Sequence, residues 1–377
     1  MQLSHNRHFS YCLNVHPGES LEEIRQVLRK QIPEIKHALC PDAPFGLGLR
    51  IARQASLDLK GPGQLNRFKQ DLEQENCYTY TINGFPYGAF HDTRVKENVY
   101  LPDWSSPDRV SYTCELFDQL AALLPEGMDG SISTVPLGYK FKSAPLEAES
   151  GAHIRHLLSV AQHLGRIEAK TGTVLHLGLE PEPDCLLETT DEVLSFFEKL
   201  FEASGADEAL VRRHIGICMD TCHVAMQFED PADSLRRLQH AGIRLSKVQI
   251  SAALECDARD IHPDGLKIFD DGVYLHQVKS STGRSWRDIP EWLHSPDPET
   301  GCLRIHAHVP LHWTGNADFR STRHTLTPEF WQTLRTSDCR HLEVETYTFN
   351  VLPDSVREGN SIARDMIEEC KWALERI

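Results

Sequence analysis

An apolar strand that ends on a carboxylate, with an imidazole three residues later, is the arrangement in Ile217-Cys-Met-Asp220-Thr-Cys-His223. Such spacing aims Asp220 and His223 at one point above the strand end. A carboxylate and a neutral imidazole suit a divalent Mn, Zn, Co or Mg ion, and the imidazole favours the transition metals. Alternatively, Asp220 caps the helix that follows and His223 packs beside it. Two other segments weigh on that choice. Leu175-His-Leu-Gly-Leu-Glu180 and Leu342-Glu-Val-Glu345-Thr-Tyr also close on glutamate. Acidic ends on three strands are hard to assign to solvation, and they predict one ion gripped by Glu180, Asp220 and Glu345. Period-2 alternation turns Glu343 the same way as Glu345. Glu343 is then one layer deeper, where a carboxylate needs a partner.

Further candidates surround this set. Gln249 ends Lys247-Val-Gln249-Ile at a comparable height and offers an amide as a ligand. Ile305-His306-Ala-His308 is a β-spaced pair, so both imidazoles face one side. Either the pair faces solvent, or one ring (His308) reaches the metal and the other (His306) the substrate. Asn14 and His16 end the first expected strand, and Asn83 the third. The stretch 83–91 combines glycine, aromatic surface and His91, which suits a loop over a substrate or a packed Pro-aromatic loop without a ligand. Substrate contacts are therefore expected from His16, Asn83, Glu182, His223 and His306.

Short apolar strands alternate with longer amphipathic helices along the chain, the pattern of βα units around a parallel sheet. Eight strands are expected: Tyr11–His16, Phe45–Ile51, Tyr78–Asn83, Ser131–Val135, Val174–Leu179, Ile215–Met219, Leu245–Ile250 and His341–Tyr347. This predicts an α/β fold, a single (β/α)8 TIM barrel over residues 1–377, with substrates bound where the strands end. Strands five and eight would face each other roughly across the barrel. Ser20–Gln31 carries Leu21, Ile24, Val27 and Leu28 on one helical face, and Ser150–Lys170 repeats apolar residues with a 3.6-residue period. Thr189-Thr-Asp-Glu192 is a capping-box signature. A closing helix after Asn360 carries Ile362, Met366, Cys370 and Ala373. Two connections, 85–106 and 251–340, are long loops of the kind that usually serve function. The second contains one further strand-like piece, Leu303–Val309.

Composition narrows the function classes. Of 377 residues, 40% are hydrophobic and 25% charged, ordinary for a globular enzyme. The formal net charge is −16, from 55 acidic side chains against 39 Lys and Arg, which disfavours a nucleic-acid partner. Eleven cysteines lie singly, with no Cys-x-x-Cys pair, and read as free thiols in a reducing compartment. The polar first ten residues lack the apolar centre of a signal peptide, and no apolar run approaches the roughly 20 residues that span a bilayer. A cytoplasmic protein without membrane insertion is expected.

The strand ends Glu180, Asp220-x-x-His223 and Glu345 resemble the xylose isomerase-like TIM-barrel superfamily, which includes sugar isomerases, ketose 3-epimerases and endonuclease IV-type nucleases. Over nearly the whole chain, Tyr11-Cys-Leu-Asn-Val-His-Pro-Gly-Glu19, Thr81-Ile-Asn-Gly-Phe-Pro-Tyr-Gly88, Ser131-Ile-Ser-Thr-Val-Pro-Leu-Gly-Tyr139 and Glu345-Thr-Tyr-Thr348 resemble the EboE family of metabolite-traffic proteins. The resemblance implies a metal on Glu180, Asp220 and Glu345, with His223 beside it. It also implies that Glu180 and Glu345 act as acid and base, as the two glutamates do in the superfamily's epimerases. This chain departs from the epimerases at Gln249, where they usually present a histidine, and His308 is the expected substitute. The third and fourth strands end in Asn83 and Thr134–Pro136, without the histidines of the trinuclear nuclease site. The function expected is a metal-dependent isomerase or epimerase of a small polyhydroxylated or carbonyl metabolite in secondary metabolism. A non-catalytic carrier using the same pocket, and a metal-dependent hydrolase, are the alternatives.

Overall fold

Each barrel strand presents one set of alternate residues to the barrel interior and the other to the surrounding helices. The computed structural model describes residues 1–91, 94–143, 145–295 and 301–377. Its strands in chain order are β1 His8–Tyr11, β2 Phe45–Arg50, β3 Cys77–Asn83, β4 Gly130–Thr134, β5 Leu175–Leu179, β6 Ile215–Asp220, β7 Arg244–Ile250, β8 Ala253–Asp257, β9 Val278–Ser280, β10 Ser285–Trp286, β11 Cys302–His308, β12 Arg320–Ser321 and β13 His341–Val344. Eight of them form one sheet in the order β1-β13-β7-β6-β5-β4-β3-β2. Every pair in it is parallel. A parallel bridge between Cys12 and Gly48 brings the two ends together. The chain is thus a nearly closed (β/α)8 barrel, the fold its alternation predicts.

Long helices follow the strands, among them Pro107–Leu123, Leu146–Thr171, Thr190–Ser204 and Ile362–Leu374. The Thr189–Glu192 capping box forms, and Ser20 with Glu23 makes a second one at the start of Leu21–Lys30. Among the described residues no helix is long and apolar enough to cross a membrane.

Two expectations need correction. The first strand is His8–Tyr11 rather than Tyr11–His16, and Leu13–Val15 form a buried 3-10 turn. Alternation over four or five residues suits either reading; pairing of His8–Tyr11 with β13 decides between them. The connection 251–340 is not a long loop with one strand. It folds into an antiparallel sheet ordered β10-β9-β11-β8-β12. Its strands are two to seven residues long and carry buried charges paired at long range, such as Arg304 on Glu255 at 2.9 Å and Lys279 on Asp184 at 2.7 Å. Such strands lack the apolar alternation that sequence reading depends on.

Inside the barrel, side chains stack in layers. β5 sends His176, Gly178 and Glu180 inward while Leu175, Leu177 and Leu179 join the apolar core outside. The end of β13 repeats the pattern with His341, Glu343 and Glu345 inward of Leu342 and Val344. In the middle layer, Lys247 of β7 donates to Glu343 Oε2 at 2.6 Å and to Ser133 Oγ at 3.0 Å, with both charged side chains fully buried. Lys247 is thus the partner that a deep Glu343 requires. Burial opposes the ammonium charge, but neighbouring Glu343 more than compensates, so the Lys247 pKa is raised. Gly48 makes room for this pair, because a Cβ there would sit 1.3 Å from Glu343 Oε1.

Removing one member of a buried ion pair strands the other charge, at a cost of about 3–5 kcal/mol. Lys247→Met should therefore lower the unfolding free energy by about that amount. Adding Glu343→Leu should restore most of it. Urea denaturation of the metal-free protein measures both, and a double variant no more stable than the single one would remove the ion pair from its central role.

Candidate metal centre

Glu180, Asp220 and Glu345 meet at the C-terminal end of the barrel. Their nearest carboxylate oxygens lie within 4.8 Å of one another, and all three side chains are buried. The strands that carry Glu180 and Glu345 are separated by β6 and β7 in the sheet, so the two carboxylates approach Asp220 from either side. Each is held by a different device. Glu345 Oε1 accepts from Asn14 Nδ2 at 2.6 Å and from Asn83 Nδ2 at 3.2 Å. Asp220 Oδ1 accepts from Ser251 Oγ at 2.5 Å and from the backbone N–H groups of Cys222 and His223. Capping and site-building are therefore not alternatives for Asp220. One oxygen caps the helix Thr221–Met226, and the other, Oδ2, is buried without a hydrogen-bond partner among the described residues. Glu180 Oε2 is likewise unpartnered.

Crowding of this kind reshapes the acidities. Burial, then the repulsion of Asp220 and its neighbours, pushes the Glu180 carboxyl well above the usual carboxylate range. Burial and the charges of Glu180 and Asp220 do the same to Glu345. Burial also works against ionised Asp220, but His223, His308 and the hydrogen bond from Ser251 outweigh it and keep its pKa low. Without a cation, then, the site favours negative charge on Asp220 over either glutamate.

Imidazoles complete the rim. His223 Nδ1 faces the Pro181 carbonyl at 2.9 Å, and His308 Nδ1 faces the Glu345 carbonyl at 2.9 Å. A carbonyl oxygen only accepts, so each Nδ1 carries the hydrogen and each Nε2 keeps its lone pair. Among the described residues His308 Nε2 is buried and unpartnered, and so is His306 Nε2, whose ring is tied by Nδ1 to Gln277 Oε1 at 2.8 Å. Burial lowers the His223 pKa to about 4, leaving it neutral. Asp220, His223 and His308 form a second group with ligand atoms within 4.8 Å, and Glu182, His223 and His306 a third. Asp220 belongs to both of the first two groups. Unpartnered carboxylate oxygens and imidazole lone pairs converging in a dry site fit a divalent cation held by oxygen and nitrogen donors.

The remaining expected residues divide. Asn83, Glu182, His223 and His306 line the cavity at the mouth with Glu180 and Glu345. Glu182 Oε1 accepts from Tyr100 at 2.8 Å, and burial raises its pKa to about 8. His16 is not brought to the mouth. Its Nε2 bonds Tyr11 at 2.9 Å, and it lines a separate small cavity with Leu13 and Pro17. Gln249 sits beside Asp220 in register but accepts from Cys218 Sγ at 2.6 Å through Oε1. Its amide nitrogen is left, a donor that offers a cation no lone pair. The structure adds Tyr100, Lys96, Tyr274 and Tyr347, which roof the cavity together with Phe85 and Phe90. Phe90, Tyr274 and Tyr347 pack mutually with ring centroids 5.1–5.3 Å apart. Tyr347 follows Glu345 in a motif already noted, but nothing local ties Tyr274 to the site.

No protein-family model and no curated protein matches this chain. Solved structures do match it in fold. A xylose isomerase-like TIM barrel protein from Mycobacterium smegmatis in complex with magnesium aligns with a TM-score of 0.57 and 11% identity over 100% of this chain and 98% of that one. D-psicose 3-epimerase from Clostridium cellulolyticum H10, solved with D-tagatose, aligns with 0.51 and 11% over 98% and 97%. A D-tagatose 3-epimerase-like protein aligns with 0.51 and 12% over 98% and 96%. At these identities the likeness is one of fold.

Glu180→Gln and Glu345→Gln mimic the protonated acids of the metal-free site. Both variants should melt within about a degree or two of the unsubstituted protein in chelator, yet lose the thermal shift that added Mn produces. Asp220→Ala should weaken manganese binding at the mouth beyond the roughly 10–100-fold that losing an outer partner costs. Elemental analysis after desalting checks this, and full occupancy in Asp220→Ala would refute the ligand set.

Proposed function

We propose that this xylose isomerase-like barrel is a metal-dependent isomerase or epimerase of a small polyhydroxylated carbonyl compound. The observation that carries the reading is the pair Glu180 and Glu345, two buried carboxyls of raised pKa on either side of Asp220. Glu180, Asp220, Glu345 and His308 would hold the ion. When bound, a divalent cation supplies polarisation of a carbonyl and so acidifies the adjacent C–H.

Protein groups then perform the proton transfers. One glutamate removes the proton from the carbon beside the carbonyl, and the other delivers a proton to the opposite face. Asn14 and Asn83 clamp Glu345 Oε1 and leave its second oxygen for this work. Hydroxyls of the substrate are matched by Asn83, by the Nε2 lone pair of His306, and by Glu182, whose raised pKa suits it to donate. The aromatic side chains over the cavity limit bulk water there, which strengthens the electrostatic interactions around the reacting carbon. With about 50 Å³ of space beneath it, the mouth is smaller than a sugar needs. The Phe90–Tyr274–Tyr347 cluster must move to admit one.

The setting we propose is cytosolic, which suits eleven cysteines that all carry free thiols. A place in secondary-metabolite handling rests on the EboE-like motifs of the sequence.

The test is deuterium incorporation from solvent into hydroxy-ketone sugars by the metal-loaded protein. Exchange at the carbon next to the carbonyl is expected, with loss of at least about 100-fold in Glu180→Gln and in Glu345→Gln, in line with general acid–base contributions. Saturable binding of such compounds with no exchange in the unsubstituted protein would favour the carrier reading instead.

A further inference from the structure

The alternation that lifts Glu180 and Glu345 to the mouth puts His176 and His341 at the opposite end of the same two strands. Asp129, directly before β4, closes on both. His176 Nε2 lies 3.6 Å from Asp129 Oδ2, and His341 Nε2 lies 3.7 Å from Asp129 Oδ1. These separations exceed hydrogen-bonding distance. Measured to two different carboxylate oxygens, they are a few tenths of an ångström beyond the roughly 3.3–3.4 Å edge of a tetrahedral zinc site with bonds of about 2.0–2.1 Å, so a small turn of the Asp129 carboxylate is needed to present one oxygen to both rings. The two rings stack at a centroid distance of 5.1 Å, and Ser131 Oγ anchors His341 through Nδ1 at 2.8 Å.

Both ring nitrogens of His176, Nε2 of His341 and Oδ1 of Asp129 are shut off from solvent, with no hydrogen-bond partner among the described residues. Four orphaned polar atoms in one place is a costly arrangement unless something binds them. Arg244 and Arg340 each bring a guanidinium nitrogen to 3.8 Å from Asp129. Their charge disfavours hard cations that depend on a net negative cage, such as Mg or Ca, and leaves ions that imidazole binds. Asp129, Arg244 and Arg340 also line a cavity of about 810 Å³ at this end of the barrel, so an ion would reach the buried imidazoles from the Asp129 side.

We propose that Asp129, His176 and His341 form a second metal site, for zinc or a similar transition ion, at the N-terminal end of the barrel. The site would clamp the starts of β4, β5 and β13 together. Along the strands it lies roughly 13 Å from the mouth, four residues at about 3.3 Å each. It stands or falls independently of the metal at the mouth.

Anomalous scattering at the zinc edge from a zinc-soaked crystal of the full chain tests this without any variant. A peak within bonding distance of His176 and His341 is expected, and its absence would overturn the proposal. Zinc content after desalting gives a second measure. Asp220→Ala should retain about one equivalent, and adding His176→Gln, or separately His341→Gln, should reduce it to none. Folding of each variant is followed by circular dichroism. Zinc content unchanged in the folded double variants would equally refute the site, because the imidazoles and Asp129 would then form only a network with the arginines.

Discussion

Three carboxyl groups within 4.8 Å of one another, in a place that water barely reaches, set the terms for the whole barrel mouth. Like charges at that distance in a poorly polarisable medium do not all ionise together. The structure meets this constraint in two ways. Asp220 alone receives enough donors to stay charged: a serine hydroxyl and two backbone N–H groups, with two imidazoles beside it. Glu180 and Glu345 are left to hold protons or to share a cation. The same tension that makes the site expensive in the absence of metal also produces two carboxyls poised to exchange protons.

Below the mouth, a fourth inward carboxylate, Glu343, would add to the repulsion if Lys247 did not neutralise it. Glu343 occupies the space a side chain at position 48 would fill, and Gly48 leaves it open at the seam where β1 and β2 come together. Charge balance, interior volume and closure of the sheet thus meet at one position. Above the mouth, the antiparallel sheet between β7 and β13 supplies His306 and His308 on β11, and Tyr274 nearby. The barrel contributes the acids and the insertion contributes imidazoles and cover.

Much of this was legible in the sequence. Period-2 alternation over strands bounded by polar residues was enough to turn Glu180, Asp220, Glu343 and Glu345 inward and to place His306 and His308 on one side. Where alternation was short or absent, reading failed. His8–Tyr11 and Tyr11–His16 are equally strand-like, and only the later span would carry His16 to the mouth. The five short strands of the insertion are paired by charge and by register, so only β11 stood out. Gln249 has the right height, yet its amide oxygen faces Cys218, a choice of side-chain direction that no spacing encodes.

What the sequence determined by itself is therefore the set of inward residues on each long strand, and with it the (β/α)8 plan and the acidic mouth. These follow from local geometry, because a pleated strand alternates wherever it lies. Tertiary structure alone decided which inward residues meet. Lys247 found Glu343, Asn14 and Asn83 found Glu345, and Asp129 found His176 and His341 across separations of tens to hundreds of residues. Strand order and register in a closed sheet bring those groups within ångströms, and neither is written in the spacing along any one segment.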